Sequence, residues 1–299
     1  MKLPTKKAAS GFEMPVIGFG TWRMGGALAR DPNNDDQADI AAIRSAIDNG
    51  INHIDTAEIY AAGYCEALVG EAIKNYPRTA YTLATKAKHT HLAYDSLVAA
   101  CRASLARLKL EYVDVYYLHR PSDDVPLAET AKALRFLRDE GFIRHYGVCN
   151  FKKETQERLQ ELLDRPITVS QAHYSLIFRE PEVTGLIDYC RKSGTLFTAW
   201  RPLLWRNDTR PNQPPASAWQ KGIYPILDQL AKSQNKTTAQ IAMSWLISQP
   251  NVTALFKSTK VKNIEEILGA AFVLDTENIE RLRKEFPEQR TVSDTVPLA

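Results

Sequence analysis

Short runs of β-branched and other apolar residues recur along this chain, each followed by a longer stretch with apolar residues three and four apart. A parallel barrel or a doubly wound sheet requires that alternation. Eight such runs are present: Val16 to Gly20, Asn52 to Asp55, Tyr81 to Lys86, Val113 to His119, His145 to Val148, Thr168 to Gln171, Leu196 to Trp200 and Thr253 to Phe256. Helical patterns between them include Asp36 to Asn49, Leu92 to Leu108, Leu127 to Glu140, Lys152 to Leu163 and Thr238 to Ser248. Gly50, Gly141 and Gly194 follow helical stretches, where a helix C-terminus favours a left-handed residue. Met1 to Met14 lies outside the eight units and predicts an N-terminal hairpin that plugs the bottom of a barrel. Arg201 to Ala218, rich in Pro, Asn and Arg, predicts a long loop after the seventh strand. The tail beyond Pro287 predicts poor packing.

With 299 residues, 44% of them hydrophobic, the chain is long enough for an α/β barrel as one domain over 1–299. The net charge of +3 is small and dispersed, which argues against a nucleic-acid surface. No uninterrupted apolar stretch suits a membrane span, and no apolar run follows the basic N-terminus, so a cytoplasmic location is expected. Cys65, Cys101, Cys149 and Cys190 stand far apart, which predicts reduced thiols and neither a disulfide framework nor a zinc ribbon. His89 and His91 flank Thr90 without a matching carboxylate pattern, so a polar loop is expected there and no metal. Oligomeric state leaves no signal in the sequence.

Side chains at the carboxyl ends of barrel strands converge on one face, and three consecutive runs end in titratable residues. The second ends at Asp55 with Tyr60 just beyond, the third at Lys86, and the fourth at His119. A phenol is a poor acid near neutral pH, but a close ammonium lowers its pKa, and Lys86 could supply that charge. Asp55 would keep Lys86 protonated, while the His119 imidazole could hydrogen-bond and orient a carbonyl oxygen. Tyr60 would then protonate that oxygen. The set lacks a hydride source, so the chemistry requires a cofactor, for which a nicotinamide is the natural choice.

The segments Gly50-Ile51-Asn52-His53-Ile54-Asp55-Thr56-Ala57, Tyr60 and Glu66-Ala67-Leu68-Val69-Gly70 resemble the leading signature of the aldo-keto reductase family. The similarity continues in family order through Ile17 to Trp22, Leu118-His119-Arg120-Pro121, Gly147 to Phe151, Gln171, Ala199 to Leu203 and Phe256-Lys257-Ser258. The resemblance implies a (β/α)8 TIM barrel that reduces a small aldehyde or ketone with NADPH, NADH remaining possible. It makes Asp55, Tyr60, Lys86 and His119 a catalytic tetrad. Cofactor contacts fall to Gly20, Thr21, Asp55, Cys149, Asn150, Gln171, Trp200, Arg201, Pro202, Leu203, Lys257, Ser258, Thr259 and Asn263. Within that set Asn150 and Gln171 would hold the carboxamide, Trp200 would stack on the nicotinamide, and Lys257 with Ser258 would grip the 2′-phosphate. Trp22, Tyr60, His119 and Trp205 are expected to line the substrate pocket.

Departures from the family pattern bear on these expectations. Cys149 replaces the usual serine with a weak thiol donor, and Trp200 replaces the commoner tyrosine, as in some diketogluconate reductase-like members. Asn263 stands where many members place an arginine, so a neutral amide replaces a charged fork unless Lys260 or Lys262 compensates. Ala61 to Cys65 lengthens the link from Tyr60 to Glu66. Taken singly, each residue has a plainer reading: Asp55 and Asn150 as helix caps, Tyr60 as a loop tyrosine, Lys86 as a solvated strand end, Lys257-Ser258 as a polar turn. Two other functions are compatible with the residues. One is a Schiff-base lyase using Lys86, which the adjacent Asp55 disfavours. The other is a non-catalytic nicotinamide-binding accessory subunit.

Overall fold

The computed structural model describes residues 3–203, 218–285 and 296–299. A hairpin of β1 (Thr5–Lys7) and β2 (Glu13–Pro15) opens the chain. Eight parallel strands follow: β3 (Ile17–Gly20), β4 (His53–Asp55), β5 (Thr82–Ala87), β6 (Val113–Leu118), β7 (Ile143–Cys149), β8 (Ile167–His173), β9 (Leu196–Trp200) and β10 (Val252–Phe256). They close in sequence order, with β10 pairing back to β3. The chain is therefore a (β/α)8 barrel, and each of the eight apolar runs becomes a strand within two residues of its expected bounds. Around it lie α1 (Asp36–Asp48), α2 (Tyr64–Ile73), α3 (Tyr94–Leu108), α4 (Leu127–Asp139), α5 (Lys153–Leu162), α6 (Glu180–Val183), α7 (Leu186–Ser193), α8 (Ala218–Ser233), α9 (Thr238–Ile247), α10 (Val261–Leu268) and α11 (Thr276–Glu285).

The period-two pattern of the strands separates two cores. In β6, Tyr116 and Leu118 join the large cluster between sheet and helices. Val115 and Tyr117 face inward, with Ala84, Cys149, Val169 and Leu196. The hairpin closes that inner cluster from below through Ala8, Phe12 and Met14, so the expected plug is present. Gly50, Gly141 and Gly194 all adopt positive φ, as a helix C-terminus demands. Helix starts are marked locally too: Asp35 accepts from the Ala38 amide at α1, and Thr237 with Gln240 forms a capping box at α9.

Lys6 on β1 anchors the plug. Its Nζ donates to the carbonyls of Ile247 (2.7 Å), Gln249 and Val252 (2.6 Å), where α9 runs out toward β10. An ammonium there satisfies carbonyls at a helix C-terminus and complements its dipole. Lys6→Met is expected to cost about 1–3 kcal/mol in urea unfolding, the worth of hydrogen bonds to a charged group. An unchanged midpoint and slope would show the contacts to be incidental.

Two expectations and one of the plainer single-residue readings are corrected. Residues 296–299 are packed: Leu298 is buried, the Ala299 carbonyl accepts from the Lys152 amide (2.8 Å), and the Ala299 amide donates to the Asn150 carbonyl (3.0 Å). The helix expected from Leu92 begins at Tyr94, because His89–His91 form a 3-10 turn first. Asn150 caps no helix, since α5 starts from Lys152 and Asn150 sits at φ 59 with its amide turned to the barrel mouth. The long loop after β9 is described only through Leu203, so most of it, with Trp205, lies outside the described residues; the chain resumes at Ala218 as α8.

Candidate active site

Parallel pairing sets the site. Gly20 lies beside Asp55, Asp55 beside Ala84, and Lys86 beside Tyr117, so β3 to β6 bring their carboxyl ends to one mouth. Lys86 is fully buried. Its Nζ donates to Asp55 Oδ1 and to the Thr56 carbonyl (2.8 Å), while Gln171 Nε2 donates to Asp55 Oδ2 (2.9 Å). Both carboxylate oxygens are thereby satisfied, which is what keeps a buried ion pair tolerable. The Lys86 ammonium also lies 5.3 Å from the Tyr60 ring centre and 5.7 Å from that of Tyr117. Tyr117 fits there because Gly147 opposite has no side chain; a Cβ would come within 2.5 Å of the ring.

Tyr60 stands half-buried between Trp22 (centroids 4.8 Å, edge-on) and His119 (5.8 Å, edge-on). The four titratable residues expected from successive strand ends are therefore assembled, and Trp22 joins them as a mouth wall. The electrostatics separate their states. Burial outweighs the nearby Lys86 charge at Tyr60, so the phenol is raised above its ordinary pKa and stays protonated. Burial alone would discharge Lys86, but Asp55 and its other neighbours together more than offset it, and the ammonium is held above its usual range. Burial, reinforced by the Lys86 charge, pushes His119 down to about 3, which leaves a neutral imidazole. Its buried Nδ1 has no partner among the described residues.

On the other side of the mouth, both amide ends of Asn150 are engaged: Nδ2 donates to the His119 carbonyl (3.0 Å) and Oδ1 accepts from Trp200 Nε1 (3.1 Å). The Cys149 thiol is buried, lies 3.7 Å from Gln171 Oε1, and burial raises its pKa, so it is no reactive thiolate. Trp200 stacks on His173 (4.6 Å, 17° between planes), and His173 also meets Phe178 (4.4 Å). Arg201, in a left-handed conformation, Pro202 and Leu203 follow at the end of β9. The Thr21 hydroxyl bonds the Asp55 carbonyl (3.0 Å), tying β3 to β4.

Beyond β10, Lys257 and Thr259 are exposed, and Ser258 Oγ accepts from the Lys260 amide (3.0 Å) and from Asn263 Nδ2 (3.1 Å). Asn263 therefore shapes the turn before α10; that stretch carries Lys257, Lys260 and Lys262, and Arg23 lies within electrostatic reach of Lys257.

Two contributors escaped the sequence reading. The Thr56 carbonyl, which completes the lysine cage beside Asp55, acts through backbone and leaves no residue signature. His173, the partner of Trp200, has one available signal: it ends the sixth barrel strand, although Gln171 two positions earlier drew that role. Among the described residues, no helix is long and apolar enough to cross a membrane.

The mouth of this (β/α)8 barrel thus brings a phenol beside a carboxylate-paired ammonium and an imidazole. Comparison with known proteins shows the family. A model of the aldo/keto reductase family matches residues 16–285. The aldo-keto reductase YhdN of Bacillus subtilis is 32% identical over 98% of this chain and 95% of its own. A thermostable aldo-keto reductase crystallised with the inhibitor epalrestat superposes with a TM-score of 0.87 at 32% identity, covering 95% of this chain and all of that one. An aldo/keto reductase from Klebsiella pneumoniae, solved with NADP and acetate, gives 0.83 at 30% identity, covering 97% of each chain. The chain belongs to the aldo/keto reductase family.

Proposed function

We propose that this protein reduces a small aldehyde or ketone with NADPH, Tyr60 delivering the proton to the carbonyl oxygen. The observation that carries the reading is the Lys86 ammonium, caged by Asp55 and the Thr56 carbonyl and set 5.3 Å from the Tyr60 ring. The cofactor supplies the hydride when bound; the Klebsiella relative holds NADP in the same fold. The donor set fits such a group. Each of the Asn150 and Gln171 side-chain carbonyls has a second lone pair for carboxamide N–H groups. One face of Trp200 is covered by His173, so a nicotinamide ring would stack on the other. Lys257 would pair with the 2′-phosphate, with Lys260 and Lys262 replacing the missing arginine.

In the reaction His119, neutral at working pH, donates one hydrogen bond to the carbonyl oxygen and orients it. Tyr60 passes its proton to that oxygen as negative charge develops there. Lys86 stabilises the phenolate left behind, and Asp55 keeps Lys86 charged so that it can. The same pair argues against the Schiff-base reading, because a carboxylate-bound ammonium raised in pKa is no nucleophile.

Tryptophan-fluorescence titration with NADPH and with NADH, followed by aldehyde-dependent loss of NADPH absorbance, tests the proposal. Binding with turnover supports it; binding with no turnover across a carbonyl panel would favour the accessory role. Lys257→Met is expected to weaken NADPH by about 10- to 100-fold, roughly one charge-assisted contact, and to leave NADH within about twofold. Equal losses for both nucleotides would remove Lys257 from the phosphate.

A further inference from the structure

Tyr60 is followed by three residues in the left-handed region, Ala61 (φ 49), Ala62 (φ 54) and Gly63 (φ 88). L-residues disfavour that conformation, so two consecutive alanines there need outside support. Local support is backbone only: α2 begins from Gly63 with no side-chain cap, the Ala61 amide donates to the Ala27 carbonyl (2.7 Å), and the Tyr64 amide donates to the Ala61 and Tyr60 carbonyls. The support comes from below. The Arg107 guanidinium on α3 lies directly against Gly63, where a Cβ would come within 2.8 Å of its Nε.

Arg107 is itself held by Glu66, whose Oε2 lies 2.7 Å from Nε and 2.7 Å from a terminal guanidinium nitrogen. The other carboxylate oxygen, Oε1, accepts from Thr85 Oγ1 (2.5 Å). Thr85 is the neighbour of Lys86 on β5; side chains alternate along a strand, so Lys86 enters the barrel while Thr85 faces the helix layer. One fully buried carboxylate thus grips the wedge under the Tyr60 turn with one oxygen and the strand carrying Lys86 with the other. We infer that Glu66 is a positioning residue that fixes the Tyr60 phenol against the Lys86 ammonium. The inference rests on the reductase reading for its kinetic consequence, and on the geometry alone for its effect on Tyr60.

A buried ion pair kept only for stability would give a different result from one that sets a catalytic distance. Glu66→Gln preserves volume and the acceptor for Thr85 but removes the charge that holds Arg107. In the full-length protein it is expected to lower kcat by up to about 10²-fold, the cost of misplacing a reacting group by about an ångström, with KM and NADPH affinity within about twofold. Its Tyr60 phenol, read as tyrosinate absorbance after subtraction of the matching Tyr60→Phe protein, should titrate closer to the ordinary value near 10 as the ring loosens from its buried seat. Arg107→Lys, which keeps Glu66 neutralised but withdraws the planar wedge, should shift both readouts in the same direction and serves if Glu66→Gln does not fold. A fall in Tm with kcat and the Tyr60 titration as in the wild type would overturn the assignment. Should the wild type reduce no carbonyl, the reductase reading fails, while the Tyr60 titration still decides the positioning role.

Discussion

Tyr60→Phe is expected to cut kcat for aldehyde reduction by about 10² to 10⁴-fold, the usual worth of a positioned general acid, which is about 3–5 kcal/mol of barrier. The expectation is specific because the substitution removes one atom. Phenylalanine keeps the ring against Trp22 and His119, so the mouth should retain its shape and NADPH should bind within about twofold. The pH dependence separates the partners. The wild-type phenol has a raised pKa, so the acid stays loaded and the reductive rate should be level across roughly pH 6 to 9, without the limb near 6.5 that an ordinary histidine would give. That limb should be absent because burial pushes His119 down to about 3, where it stays neutral across this range. Oxidation of the alcohol needs the phenolate and should instead speed up with rising pH. Stopped-flow rates for both directions check this; a Tyr60→Phe protein turning over at the wild-type rate would remove the phenol from the mechanism.

The fold was legible where local chemistry repeats. Eight apolar runs separated by amphipathic stretches mark eight strands, because a strand buried on both faces must be apolar along its length and glycines mark where helices end. Asp55, Lys86 and His119 could be placed together because each lies within one residue of a strand's carboxyl end, and parallel pairing brings such ends to one rim. What stayed hidden depends on contacts between distant residues or on backbone. Lys6 reaches carbonyls more than 240 positions away, and no local pattern announces that. The docking of Leu298 and Ala299 beside Asn150 is of the same kind, since a polar tail with one leucine gives no period to read. The left-handed turn after Tyr60 is hidden for another reason: alanine has no bias toward that conformation, so only Gly63 hints at it. The raised pKa of Tyr60 likewise follows from depth of burial, which residue order does not give.

Lys86→Met should destabilise the protein by about 3–5 kcal/mol, because the Asp55 carboxylate would remain buried with Gln171 as its side-chain partner and no countercharge. The effect combines with catalysis in a way that single rates would conceal. In the proposed mechanism Lys86 also stabilises the Tyr60 phenolate, so the variant should lose turnover as well. The double variant Asp55→Asn with Lys86→Met separates the roles: it leaves no buried charge, so it should recover much of the lost stability, yet it cannot recover the rate because nothing then lowers the cost of the phenolate. The pH dependence has a definite sign. The folded-state pKa of Lys86 is raised, so in the wild type the ion pair contributes fully below the unfolded lysine value near 10.4 and is lost only as pH rises through the folded value. In Lys86→Met the deficit should narrow on acidification, as protonation relieves the uncompensated carboxylate. Urea unfolding of the three proteins at neutral and acidic pH measures each term. A single variant as stable as the wild type would mean that Asp55 finds solvent or another donor, and the lysine cage would then be a catalytic device without a structural role.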